Sequence, residues 1–387
     1  MKLGNNLFSN NYYSLYKNKL SKNNIKKNES NLILKFIFII IFAFFIFIIN
    51  INKKNYNISF LSKKSLKLNE INKEFDNDLK NFLKDGEIIE NEMMDHHTTF
   101  KIGGPARYFI KPKSIKQIIG IIKICNKYQV NYFILGNGSN LLVSDNGYYG
   151  VIIQIHENNF SNFEVKKIDE NNYSLIVGGG MLMKTLSIEA CLLSLTGLED
   201  IIDIPGTVGG GIIMNASYKG TGLIKPLEKV NIITNKGKLM ELTKKECGLT
   251  HRGSILKDNK YIVIEATFNL KKGDQIIIQK TMTNNTKMRY EKQPMYFGSA
   301  GCFFVWNHKK NGSMYKKYKE CGLVSYRIGN AMIYTYNIAF IVNLGKSKAS
   351  DVIQIVTYIE KKLKEKYEIE IKREVIVIGT FNNIDYY

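Results

Sequence analysis

The stretch Ile204-Pro-Gly-Thr-Val-Gly-Gly-Gly-Ile-Ile-Met-Asn215 decides how this chain is read. It holds four glycines, Gly206 and Gly209 to Gly211, and no charge. A largely apolar, helix-like run at 182–198 leads into it. Glycine lacks a Cβ, so it reaches positive φ and lets another molecule approach the backbone. Successive N–H groups in such a turn form an anion-binding concavity, which suits a pyrophosphate. A tight interdomain turn is the competing reading, because short glycine motifs also recur by chance.

Two more glycine clusters lie upstream. Polar residues 126–129 precede the mainly apolar 130–135, which reads as a strand. That strand delivers the chain into Gly136-Asn137-Gly138-Ser139-Asn140, whose small, hydroxyl and amide side chains suit phosphate or ribose. The third cluster, Ile102-Gly103-Gly104-Pro105-Ala106, follows Thr98-Thr99-Phe100. Three clusters in one globular region favour one large phosphorylated ligand over three unrelated turns. None is a G-x-G-x-x-G entering a helix, and no P-loop lysine follows, so neither a Rossmann site nor a P-loop is supported.

Taken together, Thr99-Phe-Lys-Ile-Gly-Gly-Pro-Ala106, Gly136-Asn-Gly-Ser-Asn-Leu-Leu142 and Ile204-Pro-Gly-Thr-Val-Gly-Gly210 with Met214-Asn-Ala216 closely resemble the UDP-N-acetylenolpyruvoylglucosamine reductases (MurB). These are flavoproteins of peptidoglycan synthesis. The resemblance runs in order from about 98 to 379. It implies FAD, held by Gly103, Gly104, Gly136, Asn137, Gly138, Ser139, Asn140, Leu141, Pro205, Gly206, Thr207, Gly209, Gly210 and Asn215, with NADPH as reductant.

Reducing an enolpyruvyl group needs more than a flavin. A cation or acid must stabilise enolate-like charge at the carboxylate, and an acid must protonate the neighbouring carbon. The resemblance places these groups at three positions. Thr250-His-Arg-Gly-Ser254 is similar to the family's Tyr-Arg-x-Ser motif, with Arg252 as stabiliser; a guanidinium's planar donors suit a carboxylate. Glu374, in Lys372-Arg-Glu-Val375, matches the family's catalytic glutamate. Cys302, in Ser299-Ala-Gly-Cys-Phe-Phe304, stands where a proton-donating serine is usual. A thiol, with a reference pKa of about 8.5, is the better acid of the two. On residue statistics alone, Arg252 reads as a surface arginine, Glu374 as half of a strand-end salt bridge and Cys302 as a buried small apolar residue.

The pattern also departs from the family. Trp306, the chain's one tryptophan, replaces an asparagine linked to substrate contact, and His251 replaces a tyrosine. Residues 329–339 lack most of the polar groups expected there. Gln293-Pro294 leads almost directly into Ser299-Ala-Gly-Cys302, which resembles the shorter type of the family. Two alternatives therefore stand beside the reductase reading: a similar flavin oxidoreductase with another substrate in a plastid, and a flavin-binding protein without turnover, favoured if Trp306 fills the site.

The 387 residues, 44% of them hydrophobic, allow two or three domains. Alternating short strands and helices give an α+β architecture. Examples are strands at 151–155, 175–177 and 261–270 and helices at 115–128 and 349–366. The resemblance implies a p-cresol methylhydroxylase-type FAD-binding fold in two lobes at 86–272, then a C-terminal α+β substrate domain of MurB type at 273–387. Five scattered cysteines without C-x-x-C spacing argue against disulfides and zinc, and the sequence gives no metal signal.

The net charge of +21 does not mark a nucleic-acid binder. Residues 1–68 hold twelve lysines against one acid, Glu29, and no basic-aromatic patch follows. The expected partner is a small molecule, nucleotide-sugar-like. Within the leader, 36–49 is unbroken apolar sequence, extending to 32 across Lys35. It fits a recessed signal or a short anchor, with membrane association through 32–49. Residues 52–68 are basic, serine-containing and acid-free, like a transit peptide. The pair resembles the bipartite leaders of complex plastids such as the apicoplast; a membrane-anchored protein with its catalytic domain in the cytoplasm is the alternative. Residues 69–85 read as a linker, in an acidic, helix-like stretch reaching Glu92.

Overall fold

The computed structural model describes residues 73–83, 87–218, 220–258, 260–381 and 384–386. The expectations for the leader, including 32–49 and 52–68, lie outside the described residues. The chain divides into units at 1–74 and 75–387, and all that follows concerns the second.

Its first sheet runs in the order Glu87–Met93, Pro105–Lys111, Tyr148–Gln154, Tyr132–Leu135. The first pair is antiparallel and the other two are parallel. The helix Ile115–Tyr128 connects the second and fourth of these strands. It starts at Ser114, whose side chain accepts from the Gln117 N–H, and stops at Gln129 in left-handed conformation. Its apolar residues Ile118, Ile121, Ile122 and Cys125 recur at helical spacing and are buried. They share a core with Phe75 and Leu79 of the helical residues 75–82 and with Leu83 just beyond them.

The second sheet is antiparallel. Leu239–Thr243, Leu227–Ile233, Ile262–Lys272, Asn172–Gly178 and Phe163–Lys167 follow one another across it. The helices Met183–Leu192 and Val208–Ile213 contribute Met183, Leu186, Val208 and Ile212 to its core.

Beyond Gln275–Lys292, an 18-residue helix capped by Asp274, the chain builds a further core around the helix Ala349–Tyr367. That helix buries Val352, Ile355, Val356, Ile359 and Leu363. Its first N–H groups are taken by Asp145, which accepts from Ala349 at 2.7 Å and Ser350 at 2.9 Å. A carboxylate there satisfies orphan donors and faces the positive end of the helix dipole. Ile376–Phe381 then pairs in parallel with Leu141–Val143, threading the late chain back against the early loops.

Three local expectations change. The helix-like run 182–198 ends at Leu192, because Ser194 and Gly197 take positive φ. The acidic stretch thought helical up to Glu92 is a strand from Glu87, fixed by six register pairs to the neighbouring strand; pairing outweighs local propensity. The glycine stretch 209–211 lies within a short helix whose first turn Thr207 caps.

Candidate active site and flavin cradle

The three glycine loops meet. The Thr99 N–H donates to Gly138 O at 3.2 Å. Ser139 Oγ donates to Pro205 O at 2.9 Å. A Cβ on Gly136 would stand 2.6 Å from Thr207 Oγ1, and one on Gly138 would stand 2.1 Å from His97 O. Gly138 also sits at φ 62°, so conformation and crowding both require glycine there. Gly104 is pressed just as hard, its notional Cβ 2.1 Å from Asp145 O, while Gly103 abuts Met94 and Val143. Leu141 is buried, opposite Ile376.

The N–H groups that the sequence reading offered to an anion at 208–211 are taken within the protein. In the glycine helix, the N–H groups of Val208, Gly209 and Gly211 donate to Met181 O, Gly179 O and Thr207 O, each at 2.8 Å. Gly209 and Gly211 are packing glycines, their notional Cβ atoms 2.9 Å from Val263 O and 2.7 Å from Met183 Sδ. Gly206, at φ 137°, and Gly210 are less confined. By contrast, no N–H of residues 136–140 donates to any group among the described residues. Five successive open donors in a half-buried loop are what an anionic group needs, so the residues fit a pyrophosphate here. His156, which sequence reasoning missed, stands with Nε2 3.4 Å from Asn137 Oδ1, and burial holds its pKa below the ordinary value.

Arg252 lies in a tight turn closed by paired N–H···O bonds between Thr250 and Gly253. Its φ is 59°, and a non-glycine residue so placed is held by its surroundings. Nε donates to Glu374 Oε1 at 3.0 Å. Nη1 donates to Ser217 Oγ at 3.1 Å and Asn215 O at 3.4 Å, and Nη2 donates to Ser217 O at 3.2 Å. The Asn215 amide donates to Thr250 O at 2.6 Å. The last residue of the glycine stretch thus fastens the turn that carries the arginine. Ser217 gave no sequence signal, because its partner is 35 residues away.

Glu374 is brought to Cys302 by a short ladder. Phe304 pairs with Arg373, and the Glu374 N–H donates to Phe303 O at 2.8 Å. Asn140 clamps the same place: its amide donates to Glu374 O at 3.1 Å, and its own carbonyl accepts from Ile376. Burial raises the Glu374 pKa, opposed by Arg252, His251 and Lys257. Burial also pushes the Cys302 thiol up to about 11, with Glu374 adding to the rise and Arg252 and Arg289 opposing it. The thiol therefore stays protonated at neutral pH, as a donor rather than a nucleophile. Trp306 has partners of its own. Its indole N–H donates to Gly312 O at 3.0 Å, and its ring packs edge-on to buried Tyr318.

A loop of open backbone donors, with a cation, a carboxyl group and a thiol gathered beside it, fits a flavin-dependent reductase. Known proteins say which kind. The model of an FAD-binding domain matches residues 106–243, and that of the UDP-N-acetylenolpyruvoylglucosamine reductase C-terminal domain matches 293–378. The reductase of that name from Clostridium novyi is 36% identical over 301 residues, covering 78% of this chain and 95% of its own. The one from Lachnoclostridium phytofermentans is 34% identical over 302 residues, covering 78% and 96%. The crystal structure of the Thermus caldophilus enzyme superposes with a TM-score of 0.62 at 29% identity, covering 76% of this chain and 99% of that one. The chain belongs to the UDP-N-acetylenolpyruvoylglucosamine reductase family. The α+β fold and the FAD cofactor expected from the sequence are those of this family.

The same relatives correct the expected address. They come from bacteria, which have no plastids, so neither a plastid nor an apicoplast destination is retained. Among the described residues, which do not include 32–49, no helix is long and apolar enough to cross a membrane.

Proposed function

We propose that this chain reduces the enolpyruvyl double bond of UDP-N-acetylenolpyruvoylglucosamine to give UDP-N-acetylmuramate, with NADPH as the electron source. FAD, when bound, relays the electron pair between the two substrates. Residues 86–272 hold the cofactor, with 136–140 receiving its pyrophosphate and 103–104 and 205–210 closing the cradle; residues 273–387 hold the substrate.

Arg252 offers positive charge to the substrate carboxylate as negative charge builds there. Four of its five N–H donors are already committed, to Glu374, Ser217 and Asn215. One Nη2 hydrogen remains, so charge rather than a two-pronged fork carries recognition. Glu374 orients the guanidinium, and Cys302 delivers its proton to the substrate carbon. The observation that carries this reading is Asn140, which belongs to the flavin loop yet bonds the backbone of Glu374. The non-catalytic alternative lacks its support, since the Trp306 indole is engaged with Gly312 and Tyr318.

The test is a pair of half-reactions. The purified protein should be yellow and release FAD on denaturation, anaerobic NADPH should bleach it, and the enolpyruvyl sugar nucleotide should restore the colour. A colourless protein that cannot be reconstituted removes the cofactor assignment, and bleaching without restoration removes the substrate assignment.

A further inference from the structure

Beside the segment that carries Cys302 lies a group of aromatic rings to which the mechanism gives no task. Of the seven exposed large aromatic residues among those described, four are here: Tyr290, Tyr296, Phe297 and Tyr336. They come from three stretches that fold together. Tyr290 meets Tyr296 edge-on at 6.1 Å, Phe297 meets Tyr334 at 6.1 Å, and Tyr334 meets Tyr336 at 5.6 Å between ring centroids. Asn337 ties the third stretch to the first, its amide donating to Lys292 O at 2.9 Å. Tyr296 and Tyr336 are 87% and 84% exposed, so their ring surface is open to water, a position unfavourable unless another molecule covers it.

The rim is joined to the reacting centre by backbone. Cys302 bridges Phe340, whose carbonyl accepts from the Tyr334 N–H at 2.9 Å, and Phe297 lies just five residues before Cys302 in the chain. Adjacent backbones in such a ladder stand about 4.8 Å apart, which puts Tyr334 roughly 10 Å from Cys302.

We propose that this rim is the stacking platform for the uracil ring of the nucleotide-sugar substrate, an inference that rests on the function proposed above. In that substrate the reacting alkene and the uracil lie at opposite ends, separated by a hexose and a diphosphate. With the alkene at Cys302, the base must land well away from it. A flat ring with one polar edge is matched by open aromatic faces that leave that edge in water. A buried apolar slot would instead strip the ring's oxygens of their hydration. Tyr296, Phe297 and Tyr336 thereby set how tightly the nucleotide end is held, without touching the chemistry.

The experiment compares the holoenzyme with its Tyr296→Ala, Phe297→Ala and Tyr336→Ala variants, together with Tyr336→Phe. UDP alone is titrated into each by calorimetry, and both half-reactions are followed by flavin absorbance. Expected is an about ten-fold loss of UDP affinity in at least one alanine variant, the size of one base–aromatic stack. KM for the enolpyruvyl substrate rises to match, kcat and bleaching by NADPH are unchanged, and Tyr336→Phe behaves as the wild type. Unchanged UDP affinity in all three alanine variants overturns the inference. So does slowed bleaching with unchanged UDP affinity, which would assign the rim to the reductant. A wild-type dimer that the alanine variants dissociate would likewise overturn it, since a second copy would then cover the rings. The two readings fail separately. If the substrate does not restore the wild-type flavin, the proposed reaction falls, while UDP binding still reports on the rim.

Discussion

Cys302 and Glu374 form a coupled pair of acids whose settings can be measured. The thiol is pushed up to about 11, partly by the negative charge of Glu374. The alkaline limb of the substrate half-reaction therefore belongs to Cys302, and the rate of colour restoration should hold until the pH nears that value. Cys302→Ser should be slower and lose the limb, because an alcohol does not titrate in this range. Cys302→Ala should block restoration while NADPH bleaching persists. Glu374→Gln removes the charge that raises the thiol, so its limb should move toward lower pH; a shift the other way would contradict the coupling. Arg252→Lys should cost more than its conserved charge implies, since one ammonium cannot replace donors shared among Glu374, Ser217 and Asn215. Rates of restoration equal to the wild type would remove Arg252 from the mechanism. The resemblance picked out these three residues from short motifs, and the structure brings them together. Ser217 and His156 were not legible in the sequence, since each acts across a distance in sequence that only folding closes.

At the scale of loops and helices, the sequence singled out three glycine loops that the structure brings together, but it could not show which of their backbone donors are spent. Glycines announce close approach without saying what approaches. At Gly209 and Gly211 it is Val263 O and the Met183 side chain; at Gly138 it is His97 O. Only hydrogen-bond accounting shows that the donors of 208, 209 and 211 are spent and those of 136–140 are open. Gly138→Ala should therefore yield apoprotein: a left-handed alanine costs about 1–2 kcal/mol, and its Cβ would collide with His97 O. The ratio of flavin to protein absorbance reads the outcome, and full flavin occupancy would count against the cradle. Asp145 was also silent in sequence, though it caps a helix 204 residues away. Asp145→Ala should remove about 1 kcal/mol, the usual worth of such a cap, and lower Tm by a few degrees without changing the flavin spectrum.

At the scale of the molecule, the parallel pairing of Ile376–Phe381 with Leu141–Val143 makes the 136–140 loop and Glu374 parts of one structure. Ligand that binds only the folded state adds about 2.7 kcal/mol when present at a hundred times its Kd. FAD should accordingly raise Tm for the flavin loops and the C-terminal core together, in one transition rather than two. Separate transitions in differential scanning calorimetry would show the two parts to be independent. The α+β class was legible because strand and helix periods differ so clearly; the return of a late strand to an early loop was not, because no local period encodes it. That return has a consequence during synthesis. Asn140 leaves the ribosome 234 residues before the glutamate it holds. The nascent flavin lobe must wait with a strand partner missing, and under the proposed roles no incomplete polypeptide ending before Glu374 can carry out the reaction. Catalytic competence comes only with near-completion of translation, so a truncated product is inert rather than a wasteful consumer of reducing power.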